Sequence, residues 1–201
     1  IASCLVGSEM CIRDSLYPDS LCELSSAHSR ELVQNLLMRE IDLALTLQPP
    51  DHPGLSAQPL AQGVLVALAP QGFWPEHSRG QPLALQELAD APLIGLSSAD
   101  PLSARLDSYL KSVEPPPRVS IAVQTYSLAR AMVESGAGLA LIDPFTALGA
   151  STANTAIRPL SPPLPITLYA VTRAAEPPPH TLASLLEIFA RQARAQLDRP
   201  L

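Results

Sequence analysis

SLARAMVESGAGLALIDP, Ser127 to Pro144, carries the pattern that decides the fold: an amphipathic helix, a sharp break, then a short buried strand. Leu128, Ala131 and Met132 form an apolar stripe at helical spacing, with Ser127 placed to cap the helix. Gly136 stands where a helix C-terminus takes a left-handed residue, and Gly138 lets the chain turn into Leu139-Ala140-Leu141-Ile142. Pro144 ends that strand. The same design occurs earlier in SRELVQNLLMREIDLAL, Ser29 to Leu45. Leu32, Val33, Leu36 and Leu37 share a face there, and Ser29 is the expected cap, with Glu31 in the first turn to complement the helix dipole. Ile41 to Leu45 reads as a short, mostly buried strand. Helix-then-strand units of this kind build domains that close around small molecules.

Length and composition set the bounds. A chain of 201 residues suits one compact domain or two small lobes. A hydrophobic fraction of 47% with 16% charged residues supports a sizeable core, and no apolar run approaches the ~18 residues of a membrane span. The net charge of -6 and the scatter of 13 basic residues argue against this segment gripping nucleic acid, because a phosphate-binding surface needs clustered Lys and Arg. Of three cysteines, Cys4 and Cys11 lie in an irregular leader, and Cys22 sits in an apparent strand, Leu21 to Leu24, as a small buried hydrophobe. Nothing calls for an oxidising compartment, so a cytoplasmic location is expected by default.

The 22 prolines punctuate the chain, clustering at Pro49–Pro53, Pro115–Pro117, Pro162–Pro165 and Pro177–Pro179. Each cluster separates apolar periodic stretches and reads as a rigid loop. Between them, Val64–Ala69, Leu93–Leu96, Val119–Val123, Leu139–Ile142 and Ile166–Val171 have strand character. Asp100-Pro101 offers a helix cap and first-turn proline ahead of Leu102, Leu106, Tyr109 and Leu110. Thr181 stands ready to cap a last helix bearing Leu182, Leu185, Leu186 and Phe189. This alternation predicts an α/β architecture.

Catalytic chemistry is hard to find. The four histidines (His28, His52, His77 and His180) stand far apart, none paired at metal-ligand spacing. There is no nucleophile elbow, phosphate-cradling glycine loop or paired-cysteine motif. Asp42 and Asp143 can be read as an acid/base pair, but polar residues at strand ends is the preferred reading. The expectation is a protein that is not an enzyme and needs no cofactor or metal.

Several motifs, in order, resemble the effector-binding domain of LysR-type transcriptional regulators. Tyr17-Pro18-Asp19 is similar to that family's motif before its second strand. Arg39–Leu45 resembles its glycine-initiated IDLAL element, and Pro59-Leu60 with Val64–Leu68 resembles a following buried strand. Leu83–Ile94 (LALQELADAPLI) and Val133–Pro144 match two more in spacing. Asp143–Ala147 also resembles the branch that senses amino acids and opines. The resemblance covers Leu16 to Ala190 and implies a two-lobed, periplasmic-binding-protein-like (type 2) α/β domain, each lobe a mixed sheet flanked by helices. Lobe I is expected at 16–67 plus 163–201, and lobe II at 68–162, with the effector in the cleft between them.

Hydroxyls and backbone N–H groups at helix starts hold carboxylates and similar anions. Three such places, which face the cleft in the family, supply the candidate effector-binding residues: Ser29, Ser97 with Ser98, and Thr125 with Ser127. Plain capping also accounts for Ser29 and Ser127. The implied partners are a small-molecule effector, amino-acid-like or another organic acid, and further copies in a homodimer or homotetramer. DNA is contacted only through a winged helix-turn-helix absent from this chain, and no membrane is expected. The alternative is a periplasmic solute-binding protein of similar fold. Two departures stand out. Arg39 occupies the family's glycine position. Residues 4–15 (CLVGSEMCIRDS) lack any structural period and resemble a translated sequencing adapter, so residues 1–15 are set aside as a non-native leader standing where the family's first strand belongs.

Overall fold

The computed structural model describes residues 23–78, 80–89, 91–97, 101–175 and 179–198. The leader, the Tyr17-Pro18-Asp19 motif, Cys22, Ser98 and Asp100 lie outside these residues. The chain forms two compact units, one of residues up to Gln62 with Thr167–Asp198, the other of Gly63–Ile166. The boundaries expected from sequence, after Ala67 and after Pro162, both fall within the second unit's residues.

In the first unit, helix α1 (Ser29–Leu37) leads into strand β1 (Ala44–Thr46), which pairs antiparallel with β9 (Pro165–Arg173). With β2 (Leu55–Val64) these make a three-stranded sheet in the order β1-β9-β2. Its core joins Leu36, Ala44 and Val171, with Leu32, Ile41, Leu55, Ala57 and Tyr169 packed against them. The long helix α5 (His180–Leu197) buries Leu186, Ile188, Phe189 and Ala193, and Arg194 Nε donates to Leu60 O at 2.9 Å. Several local expectations need correction. Ser29 is the first helical residue; His28 holds the cap position in extended backbone with no side-chain cap bond. Pro179 rather than Thr181 precedes α5. Leu37 is 40% exposed, off the buried stripe centred on Leu36. Glu23 and Leu24, the described half of the expected strand at Leu21–Leu24, lie in no regular element.

The stop of α1 shows how an arginine does a glycine's work. Arg39 adopts φ 64°. Its N–H donates to Leu36 O at 3.2 Å and that of Glu40 to Asn35 O at 2.8 Å, the paired bonds of a Schellman turn. Arg173 locks the turn from β9: Nη1 donates to Leu36 O (3.2 Å) and Ile41 O (2.8 Å), and Nη2 to Asp42 Oδ1 (2.8 Å). Because the Ile41 carbonyl is held by this guanidinium, the strand expected from Ile41 begins only at Ala44.

The second unit is a six-stranded mixed sheet in the order β4-β8-β3-β7-β5-β6. Its strands are β3 (Val66–Pro70), β4 (Leu83–Ala84), β5 (Leu93–Leu96), β6 (Val119–Val123), β7 (Leu139–Ile142) and β8 (Thr155–Ser161). Strand β3 runs antiparallel to β7 and β8, whereas β5 is parallel to both β6 and β7. Helices α2 (Pro101–Leu110), α3 (Tyr126–Glu134) and the short α4 (Pro144–Leu148) complete it. Val66, Leu68, Ile94, Val123, Ala129, Val133, Ala140, Ile142 and Ala147 form one buried cluster between the sheet and its helices. The strand expected at Val64–Ala69 is broken at Leu65, whose N–H donates to Leu164 O.

Two features fix the frame. At the end of α3, Gly136 has φ +85° and the N–H of Ala137 reaches Met132 O at 3.0 Å, the counterpart of the Arg39 turn. Gly138, at φ +150°, passes so close to Pro92 that a Cβ would lie 2.2 Å from its carbonyl oxygen. This approach lets Leu139 N donate to Pro92 O at 3.0 Å where β7 joins β5. On β8, Arg158 is only 4% exposed and donates to Glu87 Oε2 (2.9 Å), Gln81 O (3.0 Å) and Pro82 O (2.9 Å), with Trp74 stacked 5.3 Å from its guanidinium carbon. The Arg158 hydrogen bond holds the Glu87 carboxyl below its ordinary value.

Candidate functional site

Parallel strands aim their carboxyl ends the same way, and ligands of open α/β sheets bind outside those ends. In the second unit these are the ends of β5, β6 and β7. Leu96 pairs with Val123, so the next residues, Ser97 and Gln124, leave the sheet side by side. Ile94 pairs with Ala140, and Ser97 and Asp143 each follow directly on the end of its strand. The edge therefore presents Ser97, then Thr125 and Ser127 at the start of α3, then Asp143 at the start of α4.

Ser97 is exposed; its N–H donates to Val123 O at 2.8 Å and its hydroxyl to the same oxygen at 3.3 Å. Thr125, not Ser127, is the N-cap of α3: its backbone is extended and Oγ1 accepts from Leu128 N at 3.2 Å. Ser127 is exposed in the first turn, where the helix dipole is most positive. Thus Ser97, Thr125 and Ser127 share one edge, while Ser29 lies in the first unit at the exposed start of α1. Ser98 lies outside the described residues.

Asp143 is the residue the sequence underrated. It is wholly buried, caps α4, and accepts from Thr146 N through Oδ1 at 2.9 Å. Its Oδ2 makes no well-formed hydrogen bond, and the buried Thr146 hydroxyl stands close enough to lower the carboxyl's pKa. Burial pushes the carboxyl up from its ordinary value, against hydrogen bonds from Thr146 that pull it down. The signal was available in Leu139–Pro144: a carboxylate between a wholly apolar strand and a proline. Asp42, by contrast, is an exposed partner of Arg173 in the other unit. Among the described residues, no group of three His, Cys, Asp or Glu side chains is arranged to hold a metal ion. No helix among them is long and apolar enough to cross a membrane.

An open α/β sheet thus carries hydroxyls, a helix N-terminus and a buried carboxylate at the carboxyl ends of its parallel strands. Residues 14–194 match the LysR substrate binding domain, and the chain belongs to that family. It is 34% identical over 148 residues to the HTH-type transcriptional regulator DgcR of Pseudoalteromonas sp, covering 74% of this chain and 50% of that protein. The chain spans about half the length of the curated relatives it matches. A cysteine mutant of Corynebacterium glutamicum OxyR superposes with a TM-score of 0.78 at 19% identity, over 98% of this chain and 62% of that one. The BenM effector binding domain with its effector benzoate gives 0.74 at 19% identity, over 95% and 86%. The fold is the two-lobed type 2 periplasmic-binding-like architecture of LysR effector-binding domains. The motif resemblance is borne out, and the solute-binding alternative is not favoured, since the curated relatives are regulators.

Proposed function

We propose that this chain is the small-molecule-sensing half of a bacterial LysR-type transcription factor, working in the cytoplasm without catalytic activity of its own. DNA is contacted by a winged helix-turn-helix in the remainder of the protein, and the whole acts as a homo-oligomer. The match to the LysR substrate binding domain over residues 14–194 carries this reading. Ser97, Ser98, Thr125 and Ser127 on the second unit, and Ser29 on the first, are the proposed effector contacts. Their chemistry suits an anionic group: hydroxyls that donate, and a helix start whose dipole favours negative charge. Placing Ser97 on an anion requires its hydroxyl to turn from Val123 O, a neutral acceptor that a charged one outcompetes.

A thermal-shift panel of amino acids, opines and aromatic acids tests the reading. A ligand at about a hundred times its Kd adds about 2.7 kcal/mol of stability, a rise of about 5–10 °C in Tm for a chain of this size. No shift with any member of the panel refutes a sensor of these classes.

A further inference from the structure

We propose that helix α2 clasps the segment by which the chain leaves the second unit, with Arg105 and Tyr109 as positioning residues that carry a change at the effector edge to that segment; this rests on the sensor reading above. The segment is residues 161–165, between β8 and β9, just ahead of the boundary between Ile166 and Thr167. Pro162, Pro163 and Pro165 bring no N–H, so the segment has few backbone donors with which to hold itself. Donors from elsewhere hold it instead. The Tyr109 hydroxyl donates to Pro162 O, Arg105 Nη2 to Pro165 O at 2.9 Å, and Leu65 N to Leu164 O at 2.9 Å. Leu65 stands just past the other boundary, between Gln62 and Gly63, so its bond ties the two passages together within the second unit.

The helix divides holding from acting. Leu102, Leu106 and Leu110, spaced four apart, are each 7% exposed or less and anchor α2 in the second unit. Arg105 and Tyr109, also four apart, share a different stripe, and both reach carbonyls of the proline segment. Arg105 is exposed and Tyr109 half-buried, so both bonds can be exchanged for bonds to water and the clasp can open. Burial pushes the Tyr109 hydroxyl above its ordinary value, which keeps it a donor. The other end of α2 lies at the effector edge. Pro101 opens the helix four residues after Ser97, and Tyr109 follows about two turns later, about 12 Å along the axis. A ligand that displaces the start of this short, anchored rod displaces the two donors with it, and so changes the hold on residues 161–165.

Amide hydrogen exchange on the full chain tests the clasp without any ligand. In the double variant Arg105→Ala with Tyr109→Phe, the Leu65 amide should exchange about 10-fold faster, while the Ala67 and Leu68 amides of β3 stay within about twofold of the native rate. Tyr109→Phe alone removes only a hydroxyl; it should give about a threefold rise, and it serves if the double variant does not fold. Ser108→Ala is the control, since that hydroxyl bonds within α2 to Ala104 O, and it should leave Leu65 unchanged. Calorimetry with the panel member that stabilises the chain most tests the transmission. Its Kd should differ by about fivefold or more between the native chain and the double variant, and should not differ for Ser108→Ala. A Leu65 amide that keeps its native rate in the double variant overturns the clasp. An unchanged Kd overturns the transmission, and either result leaves the sensor reading standing. Binding by no panel member overturns that reading and the transmission with it, and the exchange rates still decide the clasp.

Discussion

Gly136 and Gly138 flank a single alanine between α3 and β7, and both have positive φ, yet substituting them should have unequal consequences. At Gly136 an added Cβ meets nothing within 4 Å, so Gly136→Ala incurs only the left-handed backbone conformation, about 1 kcal/mol. At Gly138 the same atom would stand 2.2 Å from Pro92 O and 3.2 Å from Pro92 C. Normal carbon–oxygen contact is about 1 Å longer than the first of these, and a rigid backbone carbonyl has to yield. Moving it stretches the 3.0 Å bond from Leu139 N that joins β7 to β5. About 1–3 kcal/mol of backbone strain and about 1 kcal/mol for the weakened hydrogen bond put Gly138→Ala near 3 kcal/mol. The single tryptophan, Trp74, belongs to the same unit, so urea unfolding followed by its fluorescence reads the relevant transition. Midpoints for the two alanine variants that coincide within about 0.5 kcal/mol would refute the close-approach argument.

Three further outcomes are expected. Arg39→Gly should raise the stability of the first unit by about 0.5–1 kcal/mol, since φ 64° favours glycine; circular dichroism in a urea titration measures it, and a loss of stability contradicts the strain reading. Arg158→Leu removes the fork shared by Glu87, Gln81 and Pro82 and should cost about 1–3 kcal/mol, seen as a lower Tm; a change below about 0.5 kcal/mol would show that the fork adds nothing to stability. Profiles of Tm against pH should separate two carboxyls of opposite sign. Glu87 is depressed, so its contribution is present above the ordinary carboxylate value and fades as pH falls through the folded one. Asp143 is raised, so the unfolded chain ionises first and stability declines as pH climbs from the ordinary value through the folded one. Glu87→Gln should flatten the first dependence and Asp143→Asn the second; an unaltered profile in either variant counts against the corresponding assignment.

Much of the sheet was legible because its strands are bounded by residues with few options. Leu93–Leu96, Val119–Val123 and Leu139–Ile142 emerge at the predicted limits, each a mostly apolar run preceded by proline, arginine or glycine. Caps were less legible. Ser127 and Thr125 both carry a hydroxyl, and only the backbone at Thr125, extended at φ -137°, decides which one closes the helix. His28 takes the place expected of Ser29 although its side chain makes no cap bond. The late start of β1 depends on Arg173, more than a hundred residues away in sequence, a tertiary contact that no local pattern encodes. Asp143 was visible as a residue but not as a buried one. Its burial follows from the position of β7 inside the sheet, between β3 and β5, a tertiary fact that the local sequence does not carry.

The most direct test of the central claim is amide hydrogen exchange with and without the panel member that stabilises the chain most. A ligand seated at the proposed contacts slows exchange along one edge of the second unit, in the segments carrying Ser97, Thr125–Leu128 and Asp143–Thr146, with the α3 and α4 starts protected together. Protection confined to other segments, or none despite a Tm rise, would contradict a ligand seated at the carboxyl ends of β5, β6 and β7.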